Sequence, residues 1–480
     1  MRNLEIAVKE SSIPKSDKIP FFQKIMFAMG QGTDYMACGV LVGAIWLPFF
    51  NIGLGISVVK LGIVLMVLRI WDAVSDPIMG NLSDNTRSRW GRRRPYLFVG
   101  TILCVILFPL FFYMPTSLGE SSKLTYLVIL GVLYFTSYTA WSTGYYSLQL
   151  EMTPNYDERT RLAAWAAVFS KISVLFGGWV MAIATCSYFT DSTTSEVDLV
   201  TGMRTVCWLI VSVILVLGLL PAIFVKERYY KAEAVKQEKD LFLQSLKESV
   251  RCGPMWLLIL ISFLLVLGSY AGAALRTYTN IYYVFKGDIS AASILMGYHG
   301  TIVMVLGISS IPLLTYLCER FDKKRMIVGL LVIATGGHLL EYFLMRPETP
   351  YLQLISAAAE ACAITAFWMF LPSMKADVAD YDEEHTSRRR EGSLNAFFSW
   401  FIKVSLTLGI GVSTFALKLS GFSVDLKQQP PEVLSSMLHL YVFIPALLWA
   451  IATVVAGFYP LGRVRMDQIR QKLETRRGTV

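Results

Sequence analysis

Arg69, Asp72 and Asp76 stand at i, i+3 and i+7 within one apolar stretch. On a helix this spacing stacks them on one face. Two carboxylates one turn apart repel unless something positive lies between them. That can be a proton, the Arg69 guanidinium or a bound cation. Hard cations take oxygen ligands, and Ser75 adds a hydroxyl beside the pair. Asp34, in the preceding apolar stretch, can add a third carboxylate if its helix faces this one. The competing reading is an ion-pair network that only fixes helix packing. It would leave two buried carboxylates and one Arg with a net charge to explain.

Other ionisable groups interrupt apolar stretches at Lys171, Arg276, Lys375, Asp377 and Lys403. A charge at the centre of a membrane helix costs roughly 2.5–3.5 kcal/mol on insertion scales, and such residues tend to face a watery pathway. Lys375 and Asp377 are close enough to a membrane surface to snorkel. Lys171 and Lys403 are either partners of buried carboxylates or donors to a polar substrate. Trp141, Tyr145, Tyr146, Trp165, Trp368 and Trp400 offer aromatic faces that suit a sugar, and suit helix packing equally. His299 and His338 could relay protons, although packing is the commoner role for such residues. His385 and His439 are given no role.

The elements that must hold these groups are membrane helices. Of 480 residues, 54% are hydrophobic and 16% are charged, against about 25% charged in a soluble domain. A soluble enzyme is excluded as the default, and no nucleophile–base pair or metal motif argues for an enzyme of another kind. Apolar stretches long enough to span a bilayer recur about twelve times, from 22–50 and 56–82 to 393–420 and 434–460. The fold class is an all-α membrane protein. Loops on one side are rich in Lys and Arg, as in Arg87–Arg94 and Arg320–Arg325, while those on the other carry one or two each. By the positive-inside rule both termini are cytoplasmic. The net charge of +9 is thus a topology signal and calls for no nucleic-acid partner. Residues 1–20 lack the apolar core of a signal peptide. The seven cysteines form no CxxC pair, so neither a disulfide framework nor a zinc site is expected.

The widest polar break, 226–254, divides the spans six and six. We read 1–21 as an N-terminal cytoplasmic segment, 22–225 and 255–460 as two six-helix bundles, 226–254 as a linker and 461–480 as a tail. Leu241, Phe242, Leu246 and Val250 suit a linker helix lying on the membrane surface. The halves look like repeats. Asp84 and Glu319, each beside a basic loop, are 235 positions apart, and the acidic strings at Tyr156 and Tyr381 are 225 apart. Parallel six-helix repeats are a transporter architecture with a substrate site between the halves. Asp84 with Arg92, and Glu319 with Arg320, are expected to lock helices on the cytoplasmic side and gate their movement.

The string Arg69-Ile-Trp-Asp72-Ala-Val-Ser-Asp76-Pro-Ile-Met-Gly80, with Asp84-Asn-Thr-Arg-Ser-Arg-Trp-Gly-Arg-Arg-Arg-Pro95, closely resembles the glycoside–pentoside–hexuronide:cation symporters of the major facilitator superfamily. The resemblance continues at Tyr156-Asp-Glu-Arg-Thr-Arg161 and Ala376-Asp-Val-Ala-Asp-Tyr381. It implies a twelve-helix transporter that couples sugar uptake to Na⁺, Li⁺ or H⁺. Position by position, it implies that Asp72, Asp76 and Thr139 hold the cation, with Ser75 where a melibiose-type member has Asn. It implies that Asp34, Trp368 and Lys403 bind sugar. Ser142, Tyr146 and Ala167 stand where that member has Asp, Trp and Arg. The cation motif is nearly intact and the sugar motif half replaced, which points to retained coupling and an altered substrate. Lys171, one turn beyond Ala167, is the candidate replacement donor.

The expected function is symport of a sugar, glycoside or uronide with Na⁺ or H⁺ by alternating access, without a cofactor. A monomer in a bacterial inner membrane is expected, with lipid, substrate and coupling cation as its partners. The rivals are a lipid or lysolipid transporter of the same fold, disfavoured by Asp34, Lys403 and Trp368, and a non-transporting sugar sensor.

Overall fold

The structure is a computed structural model and describes residues 18–115, 117–153, 156–190, 197–227, 252–386, 391–426 and 428–477. Twelve long helices follow one another among these residues. In the first half they are α1 (Phe21–Asp34), α2 (Val58–Asn85), α3 (Arg94–Leu107), α4 (Glu120–Glu151), α5 (Tyr156–Ala184) and α6 (Leu199–Phe224). In the second they are α7 (Gly253–Tyr278), α8 (Ile289–Arg320), α9 (Lys323–Leu344), α10 (Leu354–Thr386), α11 (Glu391–Leu419) and α12 (Pro431–Gly457). A thirteenth, α13 (Arg463–Arg477), lies in the tail. The linker residues 228–251, with the expected surface helix, lie outside the described residues.

Local sequence accounts for several helix starts. Asp198, Asp288 and Asp322 precede α6, α8 and α9, and their carboxylates accept from the backbone N–H groups of Thr201, Ala291 and Lys324. These donors have no partner within the helix. Ten helices are long and apolar enough to cross a membrane by composition alone. The other two are α1 and α2. In α2 the charges of Arg69, Asp72 and Asp76 interrupt the apolar run. In α1 the regular winding ends at Asp34 and continues as wider π-helical turns over Tyr35–Ile45 and Pro48–Gly53.

The halves meet along two crossings. In one, α5 packs on α8 so closely that a Cβ on Gly178 would lie 3.2 Å from the Cα of Gly300. In the other, α2 packs on α11, with Gly62 against Thr414 and Gly411 against Met66. Six positions separate α2 from α8 and α5 from α11. The two crossings are therefore the same contact seen from either repeat, as a two-fold relation between six-helix repeats requires.

The apolar core is shared at one end and divided at the other. Away from the termini, Phe49, Tyr278, Leu417 and Tyr441 belong to one cluster that spans both halves. There the Tyr278 hydroxyl donates to Asn51 Oδ1 at 2.7 Å. At the end that carries the termini the halves have separate cores, around Phe27, Trp141 and Tyr145 in one and Met255, Phe370 and Ile469 in the other. Among the described residues the apolar core joins the halves on the far side and is divided between them on the terminal side.

Candidate substrate and ion site

A cavity of about 840 Å³ lies between the halves. Asp34, Asp72, Asp76, Tyr138, Ser142 and Tyr146 face it from the first half, and Arg276, His299 and Lys403 from the second. It is built where α1 leaves regular winding and where a proline stands inside α2. Asp34 stands at the change of winding in α1. Pro77, directly after Asp76, lies inside α2 and removes a backbone donor there. π-Helical turns such as those that follow Asp34 recur at functional sites.

Asp72 is buried and its carboxylate is held from three sides. Thr139 Oγ1 donates to Oδ1 at 2.9 Å. Arg69 Nη1 stands 3.5 Å from Oδ2, and Lys403 Nζ 3.7 Å from the same oxygen. The Ser75 hydroxyl lies 3.0 Å from both Thr139 Oγ1 and the Asp72 carbonyl oxygen. Lys403 also contacts Asp76 Oδ2 directly. Arg69 is anchored behind Asp72 by the Cys38 sulfur at 2.9 Å and the Phe135 ring at 5.1 Å. The positive group that two adjacent carboxylates require is thus an ammonium on α11. Asp72, Asp76, Ser75 and Thr139 present a compact set of oxygens, which suits a hard cation if the ammonium withdraws.

Asp34 forms a second polar centre on the same wall. Tyr138 donates to Oδ1 at 2.7 Å, Tyr146 to Oδ2 at 3.1 Å, and Gln31 to Oδ2 at 3.3 Å. Tyr146 is 45% exposed, so ligand hydroxyls can compete for this carboxylate.

The remaining candidates fall elsewhere. Lys171 opens on a smaller neighbouring cavity, where its ammonium donates to Thr365 Oγ1 at 3.3 Å across the halves. Trp368 is exposed, with its ring against Phe367, and does not line the central cavity. On the terminal side Glu151 pairs with Arg92 at 2.6 Å and Arg93 at 3.0 Å. Glu227 accepts from the backbone N–H groups of Arg92, Arg93 and Arg94 at 2.8, 2.8 and 3.1 Å. Arg320 lies over the Tyr316 ring at 4.6 Å. The side chains of Asp84 and Glu319, expected to act with them, lie outside the described residues.

One cluster was missed from sequence. Arg276, His299, His338, Glu341, Glu360 and Tyr441 converge from five helices of the second half. Glu341 and Glu360 sit singly in the apolar stretches 326–345 and 350–376. A lone acid in each was the available signal.

Residues 26–463 match the family model described as MFS/sugar transport protein. The chain is 26% identical to an uncharacterised symporter, YnaJ, of Bacillus subtilis, covering 96% of each chain. It is 24% identical to a glucuronide carrier protein homologue of Escherichia coli, over 91% of this chain and 92% of that one. It is also 24% identical to a sodium-dependent lysophosphatidylcholine symporter of Danio rerio, over 97% and 91%. Among solved structures, a D-xylose–proton symporter aligns with a TM-score of 0.62 at 14% identity, over 92% of this chain and 97% of that one, which shows the fold. The chain is a multi-pass membrane protein that belongs to the MFS/sugar transport protein family of the major facilitator superfamily.

Proposed function

We propose that the protein is a secondary transporter that carries a sugar, glycoside or uronide together with Na⁺ or H⁺. The observation that carries this reading is the shared use of Lys403. With Arg69 beside Asp72, its ammonium completes the neutralisation of Asp72 and Asp76 while it also faces the substrate-sized cavity. A coupling cation that enters among Asp72, Asp76, Thr139 and Ser75 supplies that charge instead. Lys403 is then free to donate to a substrate oxygen, and charge-assisted hydrogen bonds are about twice as strong as neutral ones. Cation and substrate therefore favour each other's binding. Asp34, with Tyr138 and Tyr146 already on its oxygens, accepts hydroxyls on the facing side. The lysine and arginine content of the loops supports cytoplasmic termini, and in this reading the side with divided cores is the inward one. Substrate reaches the cavity from the far side when the Tyr278–Asn51 contact opens.

The test is counter-flow in proteoliposomes with radiolabelled neutral glycosides, glucuronides and lysophosphatidylcholine, with and without Na⁺. Sodium-stimulated exchange of a sugar supports the proposal. Exchange of lysophosphatidylcholine alone would establish the lipid-carrying alternative, which a relative of that name keeps open.

A further inference from the structure

We propose that the buried cluster around His338 and Glu360 is a second cation site, which holds one exchangeable proton and communicates with the central cavity through Arg276. His338 and Glu360 are almost wholly buried and lie apart from the Asp72–Asp76 centre, in the other half of the molecule.

The hydrogen-bond pattern counts the proton. His338 Nε2 faces the Tyr441 carbonyl oxygen at 3.1 Å. A carbonyl only accepts, so Nε2 carries hydrogen. His338 Nδ1 faces Glu360 Oε1 at 2.6 Å. That contact needs a hydrogen as well, on the ring or on the acid. One proton beyond those of a neutral ring and an ionised carboxylate therefore lies between the two groups.

Charge gives the same count. Glu341 and Glu360 bring two negative charges and Arg276 brings one positive. Arg276 Nη2 binds Glu360 Oε2 at 2.9 Å and lies 3.7 Å from Glu341. The Tyr441 hydroxyl donates to Glu341, and Ser356 donates to it at 2.5 Å. Within this directly bonded set, with which Lys171 makes no ion pair among the described residues, a single proton gives neutrality, as burial demands. His299 is not its carrier. Its Nε2 lies against Arg276 Nη1, and because a guanidinium only donates, that nitrogen must accept. Lys171 looks onto the same small cavity from α5, with its ammonium on Thr365. His338, Glu341 and Glu360 also have the spacing of a metal site. Arg276 and Tyr441 already occupy the glutamate oxygens, and a divalent ion would leave the set with excess positive charge.

Arg276 supplies the connection. It bonds Glu360 on one side, and with His299 it lines the central cavity on the other. A ligand carboxylate or hydroxyl that draws the guanidinium away leaves Glu360 balanced by the proton alone, and the proton is held more tightly. Linkage makes the effect reciprocal. The step from proton site to coupled transport rests on the substrate reading above; the proton site itself does not.

The experiment uses the full-length protein labelled with ¹⁵N-histidine. The chain has four histidines, so the ring signals can be assigned by comparison with His338→Gln. The expected result is a one-proton transition of the His338 ring. Arg276→Gln should raise its midpoint by about one pH unit and Glu360→Gln should lower it by about as much, the size expected for loss of one adjacent charge. Arg276→Lys keeps the charge and should move the midpoint less, which separates charge from misfolding. A His338 ring that stays in one state at every pH in both wild type and Glu360→Gln would overturn the proposal. So would a midpoint indifferent to Arg276→Gln. If no sugar exchanges in counter-flow, the substrate reading fails and the titration still decides the proton site. If the ring is inert while sodium drives sugar exchange, only the proton site fails.

Discussion

The ammonium of Lys403 on α11 rests on the carboxylate of Asp76 on α2, 327 positions earlier in the chain. The same ammonium lies 3.7 Å from Asp72. This one side chain ties the second half of the protein to the acidic centre of the first. If the coupling cation enters among these oxygens as proposed, ion and lysine compete for two carboxylates.

Competition of this kind has an opposite effect on the two ligands when the lysine is removed. In Lys403→Gln the cation no longer displaces a tethered charge. Affinity for the coupling cation is expected to rise roughly tenfold, the scale of one adjacent charge, while substrate accumulation falls to background. Direct cation binding to purified protein, beside uptake in vesicles, checks both. Weakened cation binding together with intact uptake would contradict the competition.

The acidic pair itself should be indispensable for concentrating substrate. Asp72→Asn and Asp76→Asn each remove a charge needed to hold the cation. Both are expected to lose uphill accumulation by at least about tenfold, on the same single-charge scale. Asp72 is buried and bonded to Thr139, so its replacement should be the more severe. Uptake with an imposed ion gradient, normalised to protein in the membrane, measures this. Normal accumulation in both variants would remove Asp72 and Asp76 from the ion site.

How much of this was legible beforehand follows from the distances along the chain. Arg69, Asp72 and Asp76 are a local pattern, so helical periodicity alone placed them on one face. The helix count and the two repeats were equally open to reading, because hydropathy and loop charge are local too. Ten helices announce themselves by composition, and α2 escapes that test because the residues that make it informative are charged. The meeting of Lys403 with Asp76 was not legible, since nothing in the sequence marks which of several buried lysines reaches the pair. Lys171 illustrates the converse. It shares a helix face with Ala167 yet turns to Thr365 and a different cavity. Glu341 and Glu360 were overlooked because one acid barely changes the mean of a long apolar segment. Only the packing of α7, α8, α9, α10 and α12 gathers them with Arg276 and His338.

The closed end of the molecule can be loosened without touching the cavity. Asn51 is buried, donates to the Ile56 carbonyl oxygen at 2.7 Å and accepts from Tyr278 at 2.7 Å. Tyr278→Phe deletes only the bond between halves. A net loss of about 1 kcal/mol is typical, which shifts a two-state equilibrium about fivefold. The outward-open population should rise by that factor. Distances between spin labels just beyond the Pro48–Gly53 turns and just beyond α7 would report it, and an unchanged distribution would show that the contact does not hold the closed side.

On the terminal side the arrangement of Glu227 makes a sharper prediction. Its carboxylate accepts three successive backbone N–H groups at the start of α3, where donors are unpaired and the helix dipole favours an anion. Gly91 is what allows the carboxylate in. Its φ is +108°, and a Cβ there would lie 2.4 Å from Glu227 Oε1. Gly91→Ala therefore combines backbone strain with expulsion of the carboxylate. Glu227→Gln keeps the shape and loses the charge. The charge-assisted bonds are worth roughly 1.5–3 kcal/mol, so Glu227→Gln should lower the thermal midpoint measurably and Gly91→Ala should lower it further. Because Gly91→Ala already blocks the same contact, adding Glu227→Gln to Gly91→Ala should cost much less than it does in the wild type. Full additivity in this double-mutant cycle would mean that the two residues act independently, and that Gly91 serves the turn alone.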